Sequence, residues 1–252
     1  MTGQSSGLRW IDCNARIGRW SNPRPEQFTE IDDLLAAWDR VGIDGGLAHH
    51  AWAWEWSPAR GNDALLEAIG PHERIRPCFV ALPHATREVD PVLEFARGVR
   101  EARGAVRIFP GKHQWSVREW CAGALFDALQ CAGVPLLVDI GEVDWEGIAA
   151  ILAAHPRLRV IVLETFYRID RRLYALMERH PSLHLEANTY GPFFGVEGIV
   201  ERFGAGRLVF GTGVPEFETG GPMALVAYAD ISAEDKAKIA GGNLLRLLGE
   251  EG

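Results

Sequence analysis

Three charged side chains close to apolar runs could bind an anion and transfer a proton. Arg16 lies in the first apolar run, Asp139 ends a second run, and Glu164 directly follows a third. A guanidinium fork suits an anionic oxygen, and a carboxylate with a shifted pKa can act as general acid or base. We therefore expect Arg16 to anchor an anion and Asp139 or Glu164 to transfer a proton. An inert cluster of ion pairs is the alternative.

A second group combines histidines with tryptophans. His49 and His50 end an apolar run, and Trp52, Trp54 and Trp56 follow it at every second residue. In an extended segment these indoles would line an aromatic-binding pocket, and either histidine would be a partner acid or base. A loop that packs against the fold, with one histidine satisfied internally, is the alternative.

Other polar side chains lie near the predicted carboxyl ends of strands, and these are candidate substrate contacts: Asn14, His84, Arg107, His113, Glu186 and Asn188. Histidines and carboxylates do not recur at the spacing of a strong metal motif, so we expect neither a metal nor another cofactor. A residual metal site made of Asp139, Glu164 and one histidine is the alternative.

The elements that would position these residues alternate along the chain. Short apolar runs predict strands at Leu8–Ala15, Gly45–His50, Ile75–Ala81, Ala105–Phe109, Pro135–Ile140, Arg159–Leu163, Leu183–Ala187 and Leu208–Gly211. Segments of helical period separate them, and a last helix runs to Leu248 with an interruption at 241–243. Eight strands that alternate with helices predict a TIM (β/α)8 barrel in one domain, residues 1–252. A doubly wound sheet is disfavoured because no phosphate-binding glycine motif follows the first strand.

Composition narrows the partners. The 252 residues carry a formal charge of −8, which argues against nucleic acid and anionic membranes. The apolar runs are too short to span a bilayer, and the first seven residues do not resemble a signal peptide, so a cytoplasmic location is expected. The four cysteines are expected to be free thiols. The expected partner is a small-molecule substrate.

Six segments together resemble the amidohydrolase superfamily. They are Ile11-Asp-Cys-Asn-Ala-Arg-Ile-Gly18, Gly133-Val-Pro-Leu-Leu-Val-Asp139, the run from His155-Pro to Glu164, the run from His180-Pro to Asn188, Arg207-Leu-Val-Phe-Gly-Thr-Gly-Val-Pro215 and Gly242-Asn-Leu-Leu-Arg-Leu-Leu248. The resemblance is to the ACMSD-like branch, which includes small decarboxylases and lactonases. It implies a barrel with its active site at the carboxyl ends of the strands, and a possible homodimer.

The resemblance also implies which residues stand where the family has metal ligands. Those places hold Asn14, Arg16, Asp139, Glu164 and Gly213. An amide is a poor ligand for a transition metal and a guanidinium cannot be one. The resemblance thus implies a metal-independent hydrolase or lyase acting on a small anionic or aromatic molecule, with Arg16 between two carboxylates in place of the ion. A catalytically inactive pseudoenzyme, which binds a small ligand or acts as a dimeric scaffold, is the alternative.

Overall fold

The apolar runs form strands and the segments of helical period form helices in a computed structural model, which describes residues 7–25, 27–70 and 72–250. The strands are β1 Ile11–Ile17, β2 Gly45–His50, β3 Ile75–Val80, β4 Ala105–Ile108, β5 Leu136–Asp139, β6 Val160–Leu163, β7 Leu183–Glu186 and β8 Leu208–Val209. The helices are α1 Ile31–Val41, α2 Ala51–Glu55, α3 Pro58–Ile69, α4 Val92–Glu101, α5 Glu119–Ala132, α6 Trp145–Ala154, α7 Asp170–Arg179, α8 Gly195–Phe203, α9 Gly220–Ala227, α10 Ala233–Ala237 and α11 Asn243–Leu248.

The strands form one parallel sheet in sequence order, β1 to β8. Backbone hydrogen bonds then join its two ends, from Cys13 N to Phe210 O at 3.0 Å and from Arg16 N to Val214 O at 2.9 Å. This is the closed arrangement of a TIM barrel, and it confirms the predicted fold.

The lower half of the barrel interior is filled by apolar side chains. Cys13, Leu47, Leu137 and Ile161 point inward there, and the leucines of α11 pack against them at the amino-terminal end. A larger apolar cluster lies between the strands and the outer helices. Polar side chains on the strands therefore collect in the upper half, at the carboxyl-terminal mouth.

A register shift between Asp12 and Ala15 breaks the strict alternation of β1. We expected Asp12, Asn14 and Arg16 to share a face, and this is wrong for Asp12. Its carboxylate accepts hydrogen bonds from Trp38 Nε1 at 3.2 Å and from Thr212 Oγ1 at 2.5 Å, on the helix side of the sheet. The extra residue of a bulge explains why Asn14 nevertheless faces inward.

The tryptophan run is helical, which corrects the expected extended segment. It forms α2, and His50 accepts a hydrogen bond from Trp52 N at 3.2 Å as the N-cap. Helical spacing places Trp52 and Trp56 side by side, with ring centroids 5.8 Å apart. Of the three tryptophans in this run, Trp54 is the one directed toward Arg16.

The last helical segment also differs from the prediction. Residues 241–243 do not interrupt it, because Lys238–Gly242 forms a π-helical turn that joins α10 to α11. The four cysteines are free. Within the described ranges, every helix is too short or too polar to cross a membrane.

Candidate active site

Arg107 on β4 is the centre of the polar cluster in the upper barrel. It binds both oxygens of Asp139, with Nη2 2.6 Å from Oδ1 and Nε 3.2 Å from Oδ2. Its Nη1 donates to Asn14 Oδ1 at 2.7 Å, and Nη2 lies 3.5 Å from Glu164 Oε1. Burial alone would lower the pKa of Arg107, but Asp139 and Glu164 raise it above its ordinary value. The guanidinium therefore stays charged.

The expected trio of Arg16, Asp139 and Glu164 is therefore wrong in its cation, because Arg107 makes those contacts. Arg16 also points into the mouth and is buried, but it pairs with Glu216 instead. Burial, and then repulsion by Arg107, lower the pKa of Arg16 to about 9. The distance from β4 to β5 is shorter than the distance across the barrel from β1, which explains why Arg107 reaches Asp139.

Glu186 supports the cluster from β7, beneath the mouth. It is fully buried and accepts hydrogen bonds from Asn14 Nδ2 at 2.9 Å and from the backbone N of Glu164 at 3.1 Å. Burial raises its pKa to about 8, although both hydrogen bonds oppose that shift. Glu186 thus orients Asn14 and Glu164.

Glu164 is the acid of the cluster that solvent reaches. Its side chain is 33% exposed, whereas that of Asp139 is 10% exposed. Its backbone has φ +56°, a left-handed conformation that costs a non-glycine residue on the order of 1 kcal/mol or more. The bond from its N–H to Glu186 holds it there. A ligand at the mouth would meet Glu164 first.

His49 lies beside the cluster in a neutral state. Its Nδ1 lies 3.1 Å from Ala15 O, which can only accept, so Nδ1 carries the proton. Arg107 Nη1, 3.4 Å from Nδ1, is also a donor and therefore makes a contact with Nδ1 and not a hydrogen bond. Burial and the two arginines lower its pKa well below the usual value. Its Nε2 is buried without a hydrogen-bond partner in the described structure, which leaves a free lone pair near the site.

The other predicted site residues lie away from Arg107. His50 caps α2, His84 Nδ1 lies 3.0 Å from Val89 O, and His113 Nε2 lies 3.0 Å from Trp54 O. Asn188 donates to Thr212 O at 2.7 Å, and Trp52 packs on His50. These residues shape the loops around the mouth.

A separate cavity of about 750 Å³ opens beside the barrel axis. Trp56, Trp115 and Trp120 line it together with Lys112 and His113. Phe109 contacts residues of both this cavity and the polar cluster, since its ring centroid lies 6.1 Å from that of His113 at the cavity and 5.1 Å from Arg107 Cζ in the polar cluster. The cavity is therefore a neighbour of the candidate site, reached from the loops after β2, β3 and β4.

Two further residues complete the surroundings of Arg16 and were not expected from the sequence. Trp20 follows β1, and its ring centroid lies 4.2 Å from Arg16 Cζ; Glu216 follows β8. The sequence held one signal for each, since both lie in loops at the carboxyl end of a strand. Nothing in their spacing connects them to Arg16.

The side chains present do not fit a divalent metal ion at the family position. Arg107 donates hydrogen bonds to Asn14, Asp139 and Glu164, so a guanidinium occupies the space between the oxygens that an ion would need. Gly213 has φ +69°, and a Cβ there would lie 2.6 Å from Phe217 Cδ2, so this arrangement has no room for a carboxylate side chain at this position. Over the described ranges, no three His, Cys, Asp or Glu side chains are grouped to hold a metal.

Comparison with known proteins agrees with the fold. A family model described as amidohydrolase matches residues 11–249. No curated protein matches the chain. The family match spans every strand of the barrel.

Solved structures of low sequence identity share the architecture. The 5-carboxyvanillate decarboxylase LigW from Sphingomonas paucimobilis has 13% identity and a TM-score of 0.74, over 97% of this chain and 100% of that one. The 5-carboxyvanillate decarboxylase from Novosphingobium aromaticivorans, complexed with manganese and 4-hydroxy-3-methoxy-5-nitrobenzoic acid, has 14% identity and a TM-score of 0.77, over 98% of both chains. The 2,6-dihydroxybenzoate decarboxylase from Rhizobium has 16% identity and a TM-score of 0.67, over 96% of this chain and 98% of that one.

Proposed function

The chain belongs to the amidohydrolase family, and from that premise we propose that it is a metal-independent hydrolase or lyase. Its substrate would be a small, anionic, aromatic molecule bound at the barrel mouth. The structural neighbours named above include decarboxylases of aromatic acids, which supports this substrate class. Low identity means that they support the class and no particular compound.

The observation that carries the proposal is the position of the Arg107 guanidinium, among Asn14, Asp139 and Glu164. A fixed positive charge in a site with little water stabilises negative charge that develops on a substrate oxygen. A guanidinium has no open coordination position, so it cannot activate water as a metal does. A side chain must therefore handle the proton.

Glu164 is the side chain proposed for that role, because its carboxylate is the exposed one and makes only a long contact with Arg107. Asp139, bound through both oxygens, positions Arg107. Arg16 holds an anionic group of the substrate. His49 offers a second proton acceptor at Nε2.

In a decarboxylation, the bond between the ring carbon and the carboxylate breaks and CO2 leaves. Its electron pair remains on the ring carbon, which takes a proton from the protonated form of Glu164. An ion pair with the departing carboxylate would stabilise the substrate more than the transition state. Arg16 would therefore hold a second acidic group. In a hydrolysis, Glu164 would instead take a proton from the water that attacks a carbonyl carbon.

The test is an assay of protein dialysed against a chelator, with a panel of aromatic acids that each carry two acidic groups. CO2 release and loss of the acid are measured. We expect turnover by the wild type, a loss of about 100-fold or more in Glu164→Gln, and wild-type rates in Glu94→Gln, which removes an exposed carboxylate on α4. Equal rates in Glu164→Gln and the wild type would reject Glu164 as the proton donor.

A pseudoenzyme that binds a small ligand is the second candidate. It is favoured by the saturation of Arg107, whose three nitrogens all have partners within the protein. It predicts that aromatic acids of the panel bind to the protein but are not converted, and that Glu164→Gln leaves their affinity unchanged. A dimeric scaffold, the other form of this candidate, predicts a solution mass of twice 27.8 kDa by light scattering.

A further inference from the structure

We propose that Arg16, Trp20 and Trp54 form a subsite for the carboxylate of a small planar aromatic acid, and that Glu216 fills this subsite until the acid displaces it. The inference rests on the proposed function, since it concerns the same mouth, but it concerns binding and requires no turnover.

The two indoles form a corner around the Arg16 guanidinium. Cζ lies 4.2 Å from the ring centroid of Trp20 and 4.5 Å from that of Trp54. The two rings meet at 65°, with centroids 6.3 Å apart. The guanidinium is thus attracted by two aromatic faces at once, which helps to orient it.

Both walls of this corner are fixed to each other. Ser21 donates to the Glu55 carboxylate through its backbone N at 2.7 Å and its hydroxyl at 2.8 Å. Ser21 follows Trp20, and Glu55 follows Trp54, so these bonds join the loop after β1 to α2. A ligand would meet a corner that is already formed.

Glu216 shows what chemistry this corner accepts, because its own carboxylate is bound to Arg16. The ion pair involves Arg16 Nη2, and Nε is buried without a hydrogen-bond partner in the described structure. A guanidinium can bind a carboxylate through two parallel N–H groups. An external carboxylate that engages the unused Nε would satisfy more of Arg16 than Glu216 does.

The Glu216 side chain also has space into which it can move. Its side chain is 30% exposed, and its segment borders a cavity of about 410 Å³ that is lined by Arg40 on α1. The neighbouring backbone stays fixed, since Val214 O accepts from Arg16 N at 2.9 Å. A rotation of the Glu216 side chain is therefore enough to move its carboxylate away from Arg16 and into solvent near Arg40.

The flat walls select the shape of the ligand. A planar ring stacks on an indole or meets its edge with good contact, whereas a puckered ring of similar size does not. Arg16, whose pKa of about 9 leaves it protonated at neutral pH, selects an acid over its amide. The subsite should therefore prefer benzoate over benzamide and over cyclohexanecarboxylate.

The test uses these three compounds as probes, with affinity measured by titration calorimetry on the full chain. Glu216→Gln keeps the shape of the side chain but removes the competing charge, so benzoate should bind at least about fivefold more tightly than to the wild type. Glu218→Gln removes the same charge from the same loop without touching Arg16, and should leave the affinity within about twofold. Arg16→Lys keeps a charge but loses the fork, and should weaken binding by about tenfold.

The result that would overturn the inference is benzoate affinity in Glu216→Gln that equals or falls below that of Glu218→Gln. Absence of benzoate binding in all of these proteins, with unchanged melting temperatures, would overturn it too. The outcome is separate from that of the proposed function. Tighter benzoate binding in Glu216→Gln without turnover of any acid would support the subsite and reject the proposed enzyme activity. Turnover in Arg16→Lys at the wild-type KM would reject the subsite and support the enzyme activity.

Discussion

Replacement of Arg107 by alanine would leave the Asp139 carboxylate buried without its cation. Loss of one partner of a buried, hydrogen-bonded ion pair costs about 3–5 kcal/mol, and Arg107→Ala should lower the free energy of unfolding by that amount. Urea denaturation measures the change. Arg97→Ala on the exposed face of α4 is the matched control and should change stability by less than about 1 kcal/mol.

The same variant tests whether the guanidinium stands in for an ion. With the side chain gone, the oxygens of Asn14, Asp139 and Glu164 surround an empty space, so Mn²⁺ should raise the melting temperature of Arg107→Ala. It should not raise that of the wild type. Equal responses in both proteins would mean that these oxygens do not bind the ion.

Glu186 should make stability depend on pH. Its pKa is raised from 4.5 to about 8 in the folded protein, because burial disfavours its charge. Between these values the folded state holds a proton that the unfolded state has released, so its contribution to the free energy of unfolding falls as pH rises from about 4.5 to about 8. Each unit of pKa shift corresponds to about 1.4 kcal/mol.

The measurement compares melting temperatures at pH 5 and pH 8 in the wild type and in Glu186→Gln, whose amide resembles the protonated acid. The variant should lose less stability over this range, by on the order of 1 kcal/mol or more. Glu67→Gln on the surface of α3 should follow the wild type. A parallel loss in Glu186→Gln would show that Glu186 is charged at neutral pH.

Among the elements, α2 and α3 are in backbone contact at Gly61. A Cβ built on Gly61 would lie 2.0 Å from Ala53 N and 2.4 Å from Ala53 Cα, so alanine cannot fit without moving α2. Gly61→Ala should destabilise the protein by about 1–3 kcal/mol. It should also pull Trp54 away from Arg16 and reduce the affinity for benzoate.

The control for this prediction is Gly98→Ala in α4, where a Cβ would meet nothing within 4 Å. Alanine favours a helix interior, so this variant should be neutral or more stable by up to about 1 kcal/mol. Thermal melts and benzoate titrations of both variants provide the comparison. A neutral Gly61→Ala would mean that α2 is free to shift.

The elements that the sequence predicted best are those with a clear hydrophobic period. Strand β2 has the predicted bounds, because it is a short and fully buried run that follows the turn after α1. The prediction of an extended segment at Trp52–Trp56 was wrong because large apolar residues at every second position are also typical of a strand. The alternating alanines and the capping by His50 make it a helix.

At the scale of the whole molecule, eight alternating units and the family resemblance were enough to predict the barrel. The four residues of the polar cluster, Arg107, Asp139, Glu164 and Asn14, were all candidates from the sequence. Which arginine holds the carboxylates was not predictable, because it depends on reach across the barrel and on the bulge in β1. Trp20 and Glu216 lie in loops, and a loop sequence has no periodicity from which its conformation can be predicted.

The last prediction concerns the metal content of the whole protein. If Arg107 occupies the position of the family ion, purified protein should hold well below one Zn, Mn or Fe per chain by elemental analysis. Dialysis against a chelator should leave the melting temperature unchanged, because a resident ion would stabilise the fold by mass action and its removal would lower that temperature. A stoichiometric ion whose removal lowers the melting temperature would contradict the assignment. It would require Arg107 to leave Asp139 when the ion binds, since both positive charges need the same oxygens.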